Sequence, residues 1–172
     1  MSVRLAHLSA DAFTHLRSGD LDAAERSIGL PVPEEFWAPV EIWTFMLQLL
    51  ATDPGAADWV MNAVVVDDVI VGNAGFKGAP LDGVVELGYR ISPSHRRRGL
   101  ASAAVALLLE RAAREPSVDR VIARISPVNG ASIAVVTSAG FVPDGEHESP
   151  RSGRQLQFSH RTPTPSRAAH GS

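Results

Sequence analysis

The sequence predicts a single α/β domain, a mixed and partly antiparallel sheet flanked by helices. Three observations predict it. Apolar residues recur at helical spacing before residue 52. The period then changes to β-branched runs between 59 and 91. Beyond 91, strands alternate with helices before a closing hairpin. With 172 residues, 45% of them hydrophobic and 20% charged, the chain is long enough to bury a sizeable core. One domain is expected over residues 1–161, followed by a Pro-, Ser- and Arg-rich tail at 162–172.

Arg4 to His7 reads as a short first strand. Ser9 suits an N-cap for a helix over Ala10 to Ser18 that stops at Gly19. Asp20 or Asp22 opens a second helix ending near Gly29. Pro31, Pro33 and Pro39 mark an irregular stretch. A third helix from Glu41 to Ala51 stacks Ile42, Phe45, Met46 and Leu49 and ends before Pro54 and Gly55. Trp59 to Asp67 and Val69 to Phe76 are strands joined at Asp67-Asp68, a hairpin turn. Leu81-Asp82-Gly83 turns into the strand Val84 to Ile91, closed by Ser92-Pro93. The alanine- and leucine-rich stretch Gly99 to Arg114 is the strongest helix signal. A strand at Arg120 to Ile125, a helix over Gly130 to Ala139 stopped by Gly140, and strands at Phe141 to Ser149 and Arg154 to Arg161 complete the order.

Composition narrows the chemistry. The chain has no cysteine, which excludes thiolate nucleophiles, disulfides and cysteine-bound metals. The longest greasy stretch, Ala103 to Leu109, is far below the roughly 18–20 residues of a membrane span. The first residues lack the pattern of a signal peptide, so a cytoplasmic protein is expected. The six histidines show no metal-ligand spacing, and no metal is expected. Residues 1–88 carry 13 acidic against 4 basic side chains, and residues 89–172 carry 6 against 12. Such a chain suits a cationic partner on one half and an anionic one on the other. A net charge of −3 lacks the basic footprint of a nucleic-acid binder.

The most specific segment is Ser92-Pro93-Ser94-His95-Arg96-Arg97-Arg98-Gly99-Leu100-Ala101. A strand ends, a basic loop follows, and a glycine opens a long helix. Unpaired amides and the dipole at such a helix start favour a diphosphate. Gly99 lets the backbone approach a phosphate, and Arg96, Arg97 and Arg98 add cationic charge. No Gly-Lys-Ser/Thr occurs, so this is not a Walker loop, and it is not a dinucleotide fingerprint.

Arg96-x-x-Gly99-x-Ala101 resembles the pyrophosphate-wrapping motif of the GCN5-related N-acetyltransferases. Glu86-Leu87-Gly88-Tyr89-Arg90-Ile91-Ser92-Pro93 resembles the preceding strand in the branch that acetylates ribosomal-protein N-termini and in its small-molecule relatives. Asn129-Gly130-Ala131-Ser132, with the helix ending in Gly140-Phe141, is similar to that branch's Asn-x-x-Ser helix. The resemblance covers about Trp59 to Phe158. It implies a splayed sheet with the pantetheine arm of acetyl-CoA in the wedge between the strands ending at Ile91 and Ile125. It implies that the backbone at Ile91 hydrogen-bonds the arm, that Arg96, Arg97, Arg98, Gly99, Leu100, Ala101 and Ser102 cradle the phosphates, and that Asn129, which also suits the N-cap of the next helix, contacts the arm or a water near it. Ser132 is either a contact for the thioester sulfur or a small residue for helix packing.

Acetyl transfer to an amine needs a neutral nitrogen, a polarised carbonyl and a proton for the departing thiolate. By strand alternation Val84, Glu86, Gly88 and Arg90 share one face, and Val85, Leu87, Tyr89 and Ile91 the other. Glu86 is the candidate base, or else a cross-strand partner for Arg90 or Lys77. Many members of the family carry a tyrosine acid where this chain has Val136. Ser132, a water or the nearby Tyr89 then gives the proton, or no dedicated acid is needed because a thiolate leaves easily; Ser132 or a water is the preferred donor, with Tyr89 assigned to the core. Phe36, Trp37, Trp43 and Phe45 either line an acceptor pocket or belong to the core. Glu34, Glu35 and Glu41 either attract an amine or form a solvated face, and His95 touches a phosphate or lies in solvent. The implied activity is direct transfer of acetyl to a primary amine, of a small molecule or a protein N-terminus. The rival reading is a non-catalytic acyl-CoA-binding domain. A longer acyl donor, and a monomer or a homodimer, stay open.

Overall fold

A computed structural model describes residues 2–37 and 39–163. Residues 164–172 of the expected tail lie outside the described residues. The sheet has seven strands: β1 (Val3–His7), β2 (Asn62–Val66), β3 (Val69–Phe76), β4 (Val84–Ile91), β5 (Arg120–Ile125), β6 (Val142–Ser149) and β7 (Gly153–Arg161), in the order β1-β2-β3-β4-β5-β7-β6. All neighbours are antiparallel except β4 and β5.

The helices are α1 (Ala10–Ser18), α2 (Leu21–Ile28), α3 (Glu34–Trp37), α4 (Val40–Thr52), α5 (Leu100–Ala113) and α6 (Gly130–Ser138). The Ser9 hydroxyl accepts from the Ala12 amide, and the Asp20 carboxylate from the Ala23 amide. Asp20, rather than Asp22, therefore caps α2. The β2–β3 hairpin turns on Asp67 and Asp68, with φ of 49° and 61°, the left-handed pair that matches the twist of the strands.

Two segments depart from the expectation. Trp59 does not begin a strand: residues 54–59 form a 3₁₀ turn, started by Asp53, whose carboxylate accepts from the Gly55 amide. The Trp59 ring packs on Phe76 at 5.2 Å and lies under the Arg111 guanidinium at 5.1 Å. The stretch expected to be irregular holds the single-turn α3, whose Phe36 is buried. Phe36 and Phe13 flank Trp43, at 5.2 and 6.0 Å between ring centres. The Trp43 indole N–H donates to the Trp37 carbonyl. Phe36 and Trp43 therefore belong to the core, each burying roughly 1.5–3 kcal/mol of apolar surface.

The core is double, one half on each face of the sheet. Leu8, Phe13, Trp43, Met46, Val65 and Ile70 pack beneath α1 and α4. Val64, Phe76, Leu87, Leu108, Val121, Val136 and Phe158 pack beneath α5 and α6. Strand period two explains why Val64 and Val65 enter different halves.

Candidate active site

The chemistry gathers where β4 and β5 part. Their parallel pairing runs only over Val84–Arg120, Val85–Val121 and Glu86–Ile122. Beyond Glu86, β4 continues five residues and β5 three, with no pairing between them. Their facing edges form a wedge without strand pairing, which an extended ligand can enter as an added strand would.

A cleft of about 520 Å³ opens from this wedge, within the range of small-molecule sites. Ile91, Arg96, Arg97, Gly99, Leu100, Ala101, Ser102, Asn129 and Ser132 line it. All were expected at the donor site. Arg98 and Glu86 are not among its lining residues.

The loop before α5 shows why this end suits an anion. Gly99 occupies the N-cap of α5 with φ 73° and offers no side-chain cap, and the first bond of the helix is Ala103 to Gly99. The amides of Leu100, Ala101 and Ser102 are consequently left for a ligand. Space above Gly99 is open, with no heavy atom within 4 Å of a Cβ built there. Arg97 also turns left-handed, at φ 63°, and Arg96 folds back so that its Nε donates to the Ile91 carbonyl at 3.1 Å.

On the far wall, Asn129 caps α6 by accepting from the Ser132 amide at 3.1 Å. Ser132 is half-buried and lines the cleft beside Tyr89. Here the expectation for Tyr89 is corrected. Its ring packs against the core, but it also lines the cleft, and its hydroxyl donates to the Ser132 carbonyl at 3.3 Å. Burial pushes the Tyr89 phenol above its ordinary value, with Ser132 offsetting part of the effect. Val136, fully buried in the core, offers no proton there.

Glu86 stands on the opposite face of β4, with 17% of its side chain exposed. Lys77 Nζ lies 2.5 Å from its Oε1 and Arg124 Nη1 3.2 Å from its Oε2. Lys77 was one of the two expected partners; Arg124 was not foreseen. Arg90, the other expected partner, makes no contact with it among the described residues. Arg124 also donates to Gln157, and Gln157 to Asp144, which pairs with Arg120. A polar chain thus runs from Lys77, just past β3, across β4, β5, β7 and β6 on the face away from α5 and α6.

The remaining candidates sort by contact. The Glu35 carboxylate accepts from the Ser94 hydroxyl at 2.6 Å, which in turn meets His95 Nδ1 at 2.9 Å, and His95 lines the cleft. Phe45 is 41% exposed, and Trp37 is half-buried with an indole N–H that has no partner among the described residues. No cluster of three His, Asp or Glu side chains suited to a metal ion occurs among the described residues. No helix among them is long and apolar enough to cross a membrane.

Comparisons with known proteins bear on the family and the fold. The family model described as an acetyltransferase (GNAT) domain matches residues 6–142. An uncharacterized N-acetyltransferase, YjdG of Bacillus subtilis, is 35% identical over 74 residues, which are 42% of this chain and 44% of that protein. The match thus spans less than half of the curated relative. Among solved structures, RimL, a ribosomal L7/L12 alpha-N-protein acetyltransferase in complex with coenzyme A, superposes with a TM-score of 0.69 at 16% identity, covering 96% of this chain and 97% of that one. A phosphinothricin acetyltransferase from Sinorhizobium meliloti, in complex with AcCoA, gives 0.65 at 16% identity, covering 96% and 91%. The fold is shared throughout, and with the family model spanning most of its length, the chain belongs to the GNAT acetyltransferase family.

Proposed function

We propose that this protein is an acetyl-CoA-dependent N-acetyltransferase that moves an acetyl group directly to a primary amine. The observation that carries the reading is the open, left-handed Gly99 at the start of α5, at the mouth of a wedge whose strand edges are unpaired. The amides of Leu100, Ala101 and Ser102, with Arg96 and Arg97, bind the pyrophosphate. Arg98 contributes charge beside them. The edge of β4 that leaves β5 near Ile91, where the carbonyl already accepts from Arg96, and the Asn129 side of α6 hold the pantetheine arm in the wedge.

The amine nitrogen attacks the thioester carbon, the C–S bond breaks, and the sulfur leaves as thiolate. Glu86 is the proposed base. Both of its oxygens are engaged by cations, and it takes the proton of the amine directly or through a water. The Ser132 hydroxyl, on the wall of the cleft, relays a proton to the departing thiolate and regains one from solvent water in the same step. The acceptor enters from the face of β4 that carries Glu86, and the protein works in the cytoplasm.

Steady-state release of CoA thiol from acetyl-CoA, over a panel of primary amines and N-terminal peptides, tests the reading. Amine-dependent release supports it. Binding of acetyl-CoA without release on any amine supports the non-catalytic alternative.

A further inference from the structure

Helix α6 is short and lightly seated. It has nine residues, too few to persist without tertiary ties, and Val136 is the side chain it buries. Ile133, Val135 and Ala139 pack against the core only in part. One buried anchor with three partial ones restrains a helix less tightly than a full apolar stripe does.

Polar bonds at residue 132 supply the rest. Asn129 Oδ1 accepts from the Ser132 amide at 3.1 Å, and the Tyr89 hydroxyl donates to the Ser132 carbonyl at 3.3 Å. One residue is thus held on both sides of its backbone, and all three residues line the cleft. The two ties come from opposite walls of the wedge, since Tyr89 lies on β4 and Asn129 follows β5. The cap from Asn129 is ordinary for a helix start. The bond from Tyr89 is not, because it spans 43 residues to a carbonyl that the helix itself pairs one turn on. The helix forms without it; what it sets is where the first turn of α6 stands relative to β4. Burial raises the phenol, so it keeps its proton and that bond through the neutral range.

We propose that Tyr89 and Asn129 are positioning residues of the transfer step, which pin the Ser132 backbone so that its hydroxyl meets the departing thiolate. This deepens the acetyltransferase reading and rests on it. Neither residue exchanges a proton with the substrate; both act through Ser132. Such precision matters because a proton donor must stand within hydrogen-bond reach of the sulfur, and a shift of about 1 Å costs on the order of 10²-fold in rate.

The test follows thiol release from acetyl-CoA with alaninamide, lysine, spermidine and an alanyl tripeptide, and keeps the fastest acceptor. If wild type binds no acetyl-CoA in calorimetry, or releases no thiol with any of the four, the acetyltransferase reading fails and the proposal with it. Given turnover, Ser132→Ala is expected to lower kcat about tenfold or more. Tyr89→Phe is expected to lower kcat about tenfold while the Kd for acetyl-CoA stays within about twofold. In a Ser132→Ala background the same change is expected to cost less than about twofold, because no hydroxyl is left to position. Asn129→Ala is expected to lower kcat as Tyr89→Phe does. Asn129→Ser, which still caps, is expected to restore most of it, whatever happens to KM for acetyl-CoA. Assays well below the melting temperature of each variant keep lost stability out of the rates. The proposal is overturned if Tyr89→Phe or Ser132→Ala leaves kcat unchanged, if the Tyr89→Phe loss is as large in Ser132→Ala, or if Asn129→Ser turns over no faster than Asn129→Ala.

Discussion

The Tyr89 hydroxyl donates to the Ser132 carbonyl at 3.3 Å, joining β4 to the helix that follows β5 across the base of the cleft. Removing that hydroxyl with Tyr89→Phe is expected to lower stability by about 0.5–1.5 kcal/mol, the net contribution of one such bond. Urea unfolding measures it. A pH effect follows as well. Between the ordinary phenol value and its raised value in the fold, the folded chain keeps a proton that the unfolded chain releases. Stability therefore falls as pH rises through that window, and the fall should be absent in Tyr89→Phe.

Glu86→Gln removes the proposed base and leaves Lys77 and Arg124 without their shared carboxylate. The rate of acetyl transfer is expected to drop about 10²–10⁴-fold. Because Glu86 does not line the donor cleft, calorimetry should find acetyl-CoA affinity little changed. An unaltered kcat would remove Glu86 from the chemistry.

Gly72 on β3 pairs with Ile91 on β4. A Cβ there would lie 2.1 Å from the Arg90 carbonyl oxygen and 2.9 Å from Ile91 Cα. Gly72→Ala must push β4 aside, at a cost of about 1–3 kcal/mol or more. Because the displaced segment bears both Arg90 and Ile91, donor affinity should fall together with melting temperature.

Glu146 and Arg154 pair across the β6–β7 hairpin on the exposed surface. The Arg154 hydrogen bond holds the Glu146 carboxyl below its ordinary value, so any stabilisation is present at neutral pH and is lost as pH falls through that lowered value. Exposed pairs of this kind contribute little. Glu146→Gln is expected to leave the melting temperature at pH 7 unchanged within error.

Much of this site was legible in sequence because its signals are local. The strand end at Ser92-Pro93, the arginines and Gly99 are consecutive, and each acts through its own backbone or charge. Asn129 and Ser132 are one helical turn apart, so the cap between them follows from spacing. What escaped depends on register. Arg124 reaches Glu86 only through the parallel β4–β5 alignment. Tyr89 was read as core because alternation places it opposite Glu86, which is true of its ring; its hydroxyl extends past the core to α6. Trp59, at the end of a β-branched run's approach, was lost to the Asp53-Pro54-Gly55 turn, whose capping bond outweighs strand propensity.

The central claim is that the start of α5 binds the phosphates of acetyl-CoA, and isothermal titration of acetyl-CoA into wild type and Gly99→Asp tests it most directly. Aspartate tolerates the left-handed φ, and the space above residue 99 is open, so the variant should fold. Its carboxylate would then stand where a phosphate belongs. Saturable binding by wild type with loss of at least about tenfold in affinity in Gly99→Asp is the predicted result. A folded wild type that does not bind acetyl-CoA, or a variant that binds it as tightly, would contradict the account.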